Sequence, residues 1–211
     1  MKYGLLLLLF VGVACKSDKK YHSEDSYTVT ESKKMQDILD FQEKTNASFK
    51  DPETSPLPDR FRKDFKGLDF FDPDTTYMVL AKLERTPEAI PFLMSTTTDE
   101  KRNEAVYAVA HFELNGAKRK LEIYQSREMP EEGFEDYLFL PFLDETNGET
   151  TYGGGRYIDL RIPEGDSILI DFNKAYNPYC VYNKKYSCPL VPRQNYLRTN
   201  VRAGVKDFAK E

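Results

Sequence analysis

From residue 77 onward, apolar and polar positions alternate in short runs divided by turn residues. In 77–84, YMVLAKLE, the residues Tyr77, Val79, Ala81 and Leu83 share one face, and Met78, Leu80 and Lys82 share the other. That period of two predicts a strand, with the first face toward a core. A second strand is predicted over 90–94 and a long third over 104–114. Asn115-Gly116 marks a hairpin, and 118–126 returns from it with Leu121 and Ile123 inward and Tyr124 opposite. His111, within the third strand, reads as an ordinary strand histidine. Residues 137–144, YLFLPFLD, are apolar on both faces and predict a strand covered on both sides. Pro141 conflicts with that and implies a bulge or an edge. Strands over 156–162 and 167–173 read as another hairpin turning at 163–166, and a last strand is expected near 197–205. Ahead of them, 28–49 places Met35, Ile38, Leu39, Gln42, Ala47 and Phe49 at roughly helical spacing, with Thr28 and Glu31 as a capping box. Pro52, Pro56 and Pro58 end that helix, and 61–77 reads as packed irregular chain. The sum is mainly β: an antiparallel β-sandwich or small β-barrel of about eight strands with one N-terminal helix.

The chain has 211 residues, 40% hydrophobic and 31% charged, enough for one domain with its own core. A net charge of −5 with both signs interspersed argues against a nucleic-acid partner. Fourteen Tyr and fourteen Phe suit pleated surfaces. The first residues differ from the rest. Lys2 precedes an apolar run, 5–13, too short to span a bilayer, so 1–14 reads as a signal peptide. Gly12-Val13-Ala14-Cys15 resembles the bacterial lipobox, although Gly12 stands where that motif usually has Leu. The resemblance implies cleavage before Cys15, lipidation of that residue and a membrane anchor. The alternative is an ordinary signal cut nearby. Lys16 rather than Asp after the cysteine implies the outer membrane of the cell envelope. Residues 15–26 are then the lipidated cysteine with a flexible polar tether, and 27–211 a single β-rich domain. Cys180 and Cys188 remain as a pair, expected as a disulfide in an oxidising compartment, with two free thiols or half a metal site as alternatives.

The chemistry concentrates at 144–177. Gly153-Gly154-Gly155 lead into a strand rather than a helix, and no Lys-Ser or Lys-Thr follows, so a phosphate loop is a poor reading. Arg156 shares the apolar face of its strand with Ile158, Leu160 and Ile162, while Tyr157, Asp159 and Arg161 take the polar face. A guanidinium in that position needs Asp144, Glu149, Asp171 or an incoming anion. Asp171, Asn173, Tyr176 and Asn177 form a second polar cluster, which equally suits a long ordered loop. No Ser/His/Asp set and no metal cluster can be assembled, and no cofactor is expected.

The blocks FLPFLDETNGETTYGGGRYIDL, DFNKAYNPYC and CPLVPRQNYLRTNVRAGVKDF resemble the signatures of domain-of-unknown-function family 1684, over about residues 45–208. Val205-Lys206 stands where the family commonly has Glu-Lys after Ala-Gly, so any role of that glutamate is absent. The family implies one domain and no established reaction. Three functions compete. The first is an anchored domain binding a small polar or anionic ligand in a pocket rimmed by Asp144, Tyr152, Arg156, Asp171, Asn173 and Tyr176. The second is a hydrolase using Asp144 and Asp171 as acid and base. The third is a structural or assembly lipoprotein in which these groups form an internal network.

Overall fold

The computed structural model describes residues 30–208. The signal segment, Cys15, the tether and Thr28 lie outside the described residues. Helices α1 (Glu31–Lys50) and α2 (Asp59–Arg62) precede strands β1 (Met78–Arg85), β2 (Phe92–Ser95), β3 (Lys101–Leu114), β4 (Ala117–Ser126), β5 (Tyr137–Asp144), β6 (Arg156–Arg161), β7 (Ser167–Asp171) and β8 (Tyr196–Leu197). The main path of the sheet runs β6-β5-β4-β3-β1-β7, with β2 added to β3 and β8 to β5. All pairings are antiparallel except β5 with β8. Thr30 caps α1 without a side-chain hydrogen bond. Glu31 accepts a hydrogen bond from Thr75 Oγ1 instead.

The expected hairpin at 163–166 is not formed. β6 pairs with β5 at one end of the path, and β7 pairs with β1 at the other, from Met78↔Asp171 to Lys82↔Ser167. A connection this short between the two end strands requires the sheet to curl into a half-barrel. The turn reverses the chain as its residues dictate, but the partner of β7 is chosen by closure of the sheet.

Alternation places the core on the concave side. Val79, Ala81, Leu83, Leu121, Ile123, Leu138, Leu140, Ile158 and Ile170 all point into it. Leu80 and Leu169, on intervening positions, are exposed. Each fully buried Leu or Ile there stabilises by about 1.5–3 kcal/mol. A second apolar cluster, with Met94, Tyr124, Phe139 and Tyr157, lies on the outer face. β5 is therefore covered on both sides, as its composition predicts.

Pro141 does interrupt the sheet. β4 and β5 register only at Tyr124↔Phe139. Past that point the Asn195 side chain fills the gap. Its Oδ1 accepts from the Glu122 N–H at 2.8 Å, and its Nδ2 donates to the carbonyls of Glu122 and Pro141 at 2.8 and 2.7 Å. One amide thus replaces the ladder that proline breaks. The expected last strand shrinks to the two residues of β8, and the following chain is irregular.

Gly155 permits the turn into β6. Its φ is +91°, and a Cβ there would lie 2.7 Å from the Phe142 carbonyl oxygen. Gly153 has no such constraint, its nearest neighbour being 3.7 Å from an added Cβ. Gly155→Ala is expected to cost roughly 3 kcal/mol or more, and Gly153→Ala about 0.5 kcal/mol or less. Urea unfolding of both variants checks this, and equal losses would refute the account of the turn.

Candidate functional site

Arg156 and Asp144 meet, but not in a pocket. Both side chains are fully buried, and Arg156 Nη2 lies 2.9 Å from Asp144 Oδ2. The same guanidinium donates to the carbonyls of Val201, Ala203 and Val205. Asp144 Oδ1 accepts from Thr146 N–H and Oγ1 at 2.8 and 2.6 Å, and from Val201 N–H at 3.2 Å. Burial pulls the Arg156 pKa down, and the Asp144 charge opposes that. Arginine starts so basic that it stays charged. The pair is an internal clamp that fastens residues 201–205 to β5 and β6. It leaves no opening for an outside anion, so Arg156 and Asp144 do not rim a ligand site.

The other sequence candidates separate. Asp171 Oδ1 accepts from Asn173 N–H and Nδ2 at 3.0 and 2.9 Å, while Asn173 bonds the backbone of Asp74 through both ends of its amide. That pair stitches the end of β7 to the chain before β1. It shares no hydrogen-bond partner with Asp144 among the described residues. Tyr152 packs its ring over Gly154. Cys180 and Cys188 are neighbours, and both are free thiols in this structure. Cys188 Sγ accepts from Cys180 N–H at 3.1 Å, and burial pushes its pKa up to about 12, far from thiolate reactivity. Among the described residues no group of His, Cys, Asp and Glu is arranged to hold a metal, and no helix is long and apolar enough to cross a membrane. His111 sits in an exposed pair with Glu84, 2.8 Å apart.

Of the six residues expected to rim a ligand pocket, Tyr176 lines an open cleft, as do the neighbouring Asn177 and Cys188. A cleft of about 640 Å³ lies on the outer face of β5 and β6, between α1 and the loop that carries Tyr179, Tyr182, Tyr186 and Cys188. Its floor is Tyr137, Phe139, Tyr157 and Asp159. Phe41, Lys44, Thr45 and Ser48 form the helical wall, at the spacing that puts four residues on one stripe. Tyr137 and Tyr176 donate to the same oxygen, Asp159 Oδ1, at 2.8 and 2.6 Å. Tyr157 donates to the Pro189 carbonyl. Edge-to-face contacts link Phe139 to Tyr157 and Tyr157 to Tyr176, with centroids 4.8 and 5.9 Å apart. Burial raises the phenol pKa of Tyr137, Tyr157, Tyr176 and Tyr182. These phenols stay protonated near neutral pH. The alternation that put Tyr157 and Asp159 on a polar face was the available signal for this site.

Arg102 also lines the cleft, 5.3 Å over the Phe139 ring. Beside it Glu104 is buried. Its Oε1 is 2.9 Å from Arg102 Nη2, yet neither carboxylate oxygen accepts a hydrogen bond among the described residues. Burial raises the Glu104 pKa above 4.5, with Arg102 opposing and Glu128 adding to the rise.

Two measurements follow from these networks. Asp144→Asn leaves the Arg156 charge buried without its counter-ion and is expected to cost about 3–5 kcal/mol in urea unfolding. Asp144→Asn with Arg156→Met should recover part of that loss. A double variant as unstable as the sum of the singles would show that the two do not act as a pair. The second concerns pH. A raised folded-state pKa makes Glu104 favour folding fully below the unfolded pKa and lose that contribution as pH rises through the folded value. Glu104→Gln should match wild type near pH 4.5 and exceed it in melting temperature toward pH 8. An unchanged difference across that range would refute the assignment.

Among curated proteins none matches. The solution NMR structure of an uncharacterized protein of Haloarcula marismortui is similar, with 34% identity over 81% of this chain and 92% of that one, and a TM-score of 0.63. The family described as "Protein of unknown function (DUF1684)" matches residues 63–206. That span contains β1 to β8, the Asp144–Arg156 clamp and the floor of the cleft, and the chain belongs to this family.

Proposed function

We propose that this protein is a binding module whose site is the tyrosine-lined cleft, and that its ligand is a small, ring-bearing polar molecule. The observation that carries the reading is the cleft itself. About 640 Å³ suits a small organic guest, and its rings come from a strand floor, a helix and a loop. Rings held by edge-to-face contacts and by a shared carboxylate are preorganised, so ordering them on binding costs little. The raised phenol pKa values and the lack of a histidine in the walls favour binding over proton transfer. The hydrolase reading has no paired acids in an open site to support it.

The address of the protein is part of the same proposal. The lipobox-like GVAC at 12–15 supports an envelope lipoprotein held to the outer membrane through Cys15. Two acylation signals on one residue would anchor the domain stably. The tether would hold the cleft away from the bilayer.

Fragment screening by NMR tests the binding reading. Ring-bearing fragments are expected to shift the amides of Lys44, Thr45, Tyr176 and Ser187, and to leave those of Asp144, Thr146 and Val201 unchanged. Hits that map to the Arg156 clamp, or the absence of any hit in the cleft, would overturn it. For the anchor, metabolic labelling with palmitate should mark the wild type and be lost in Cys15→Ser; labelling that persists in the variant removes the lipoprotein reading.

A further inference from the structure

The floor of the cleft accepts hydrogen bonds and has committed its own hydrogens elsewhere. Tyr137 and Tyr176 both donate to Asp159 Oδ1, and Tyr157 donates to the Pro189 carbonyl. On the helical wall, Thr45 donates back to the Phe41 carbonyl at 2.8 Å. A phenol whose hydrogen is engaged shows a guest only its oxygen lone pairs and the face of its ring. Asp159 is exposed on this floor. Two phenols hold one of its oxygens in place. The other, Oδ2, accepts no hydrogen bond among the described residues, and the carboxylate takes part in no ion pair there. Arg161, two residues along the same face, is turned to Asp136 at 2.6 Å instead. Asn177, in the cleft wall, is oriented in the same sense. Its Nδ2 donates to the Lys206 carbonyl at 2.9 Å, and its Oδ1, the negative end of the amide, has no partner among the described residues.

The cations nearby do not cancel this. Arg102 is matched by the buried Glu104 carboxylate, 2.9 Å away. Lys44 stands on the exposed part of α1, where its long stem reaches water. The rings add to the negative side. Phe139 and Tyr157 cross at 76°, and Tyr157 and Tyr176 at 88°, so ring faces turn toward the cleft from more than one direction. Aromatic faces attract positive charge, and a phenol donating to a carboxylate is polarised further in that direction. The chain itself already lays one cation on this floor, with Arg102 5.3 Å over the Phe139 ring. An anion would meet a free carboxylate oxygen and phenol lone pairs. A neutral guest would cover Asp159 without answering its charge. Resting on the reading of the cleft as a binding site, we infer that the guest is a small organic cation, an ammonium group carried on an aromatic ring. Its N–H donates to Asp159 Oδ2, its charge lies against the tyrosine faces, and its ring fills the rest of the cleft. Tyr137 and Tyr176 position the carboxylate by holding Oδ1.

Three probes that share one ring separate the charge question from the cleft question. They are 2-naphthylmethylamine, 2-naphthylmethanol and 2-naphthoate, titrated at neutral pH by calorimetry. The amine is expected to bind tightest, by roughly ten- to a hundredfold over the alcohol, the worth of a charge-assisted hydrogen bond. The naphthoate is expected to bind weakest. Asp159→Asn keeps an oxygen for the two phenols and removes the charge. It should bring the amine down to the level of the alcohol and leave the alcohol unchanged. Lys44→Gln, on the exposed helical wall, removes a like charge and should strengthen the amine by about two- to threefold. If the alcohol or the naphthoate binds as tightly as the amine, or if neither variant moves the amine in the stated direction, the inference of a cation fails while the cleft remains a ring site. If none of the three binds to the folded wild type, the reading of the cleft as a binding site falls with it.

Discussion

A charge buried beyond the reach of water must find its partners inside the fold, and Arg156 is that charge. Its guanidinium is completely enclosed, and no solvent remains to compensate for a missing bond. One carboxylate and three backbone carbonyls answer its two terminal nitrogens, while Nε has no hydrogen-bond partner among the described residues. Those carbonyls belong to a stretch that makes almost no regular secondary structure. The clamp therefore does for residues 201–205 what a ladder does for a strand. The segment is held in place by one side chain, and its Val201, Ala203 and Val205 side chains pack into the body of the protein. Buried ion pairs are weak evidence for net stability. Here the better description is specificity: the pair fixes where the last part of the chain lies.

The curl of the sheet divides the labour between its faces. The concave side is filled mainly by aliphatic residues and Phe, with Tyr107 among them, and makes the rigid frame. The convex side over β5 and β6 carries tyrosines, which are half apolar and half hydrogen-bonding. Helix α1 and the tyrosine-rich loop stand on that side without covering it completely, and the gap between them is the cleft. A binding surface can form there because its floor belongs to strands whose opposite face is locked into the core. Arg156 and Tyr157 are adjacent in β6 and serve the two sides: the first closes the frame, the second builds the site.

Much of this was legible. The alternation of Val79, Ala81 and Leu83 and the Asn115-Gly116 turn depend on local rules, and the strands lie where those rules put them. The need of Arg156 for a partner was also legible, because its neighbours on the apolar face announced burial. Asp144 was among the acids expected to answer it, and it does; that three backbone carbonyls would join it was not legible. The carbonyls of Val201, Ala203 and Val205 leave no trace in side-chain chemistry. The false hairpin had the same origin, since 163–166 has the chemistry of a turn, whereas closure of a half-barrel is decided by the whole sheet. The cleft was hidden for a third reason. Its walls come from α1, from β3, from β5 and β6, and from the loop after Tyr176, and no single stretch contains enough of them to look like a site. Arg102 in particular sits at the polar start of β3, among Lys101, Asn103 and Glu104, where nothing local distinguishes it from a solvated charge.

The amide of Asn195 has a consequence for the order of events in folding. It supplies the connection between β4 and β5 that Pro141 denies them, and it arrives more than fifty residues after β5 itself. β7 likewise reaches back to β1 across most of the domain. Contacts of such separation must overcome loop-closure entropy before they stabilise anything, and they slow folding. Without residues 195–205, an N-terminal portion of this chain has a gap in its sheet and an Arg156 that keeps Asp144 but lacks its three carbonyl partners. The domain is built to stay unfinished until its end is present.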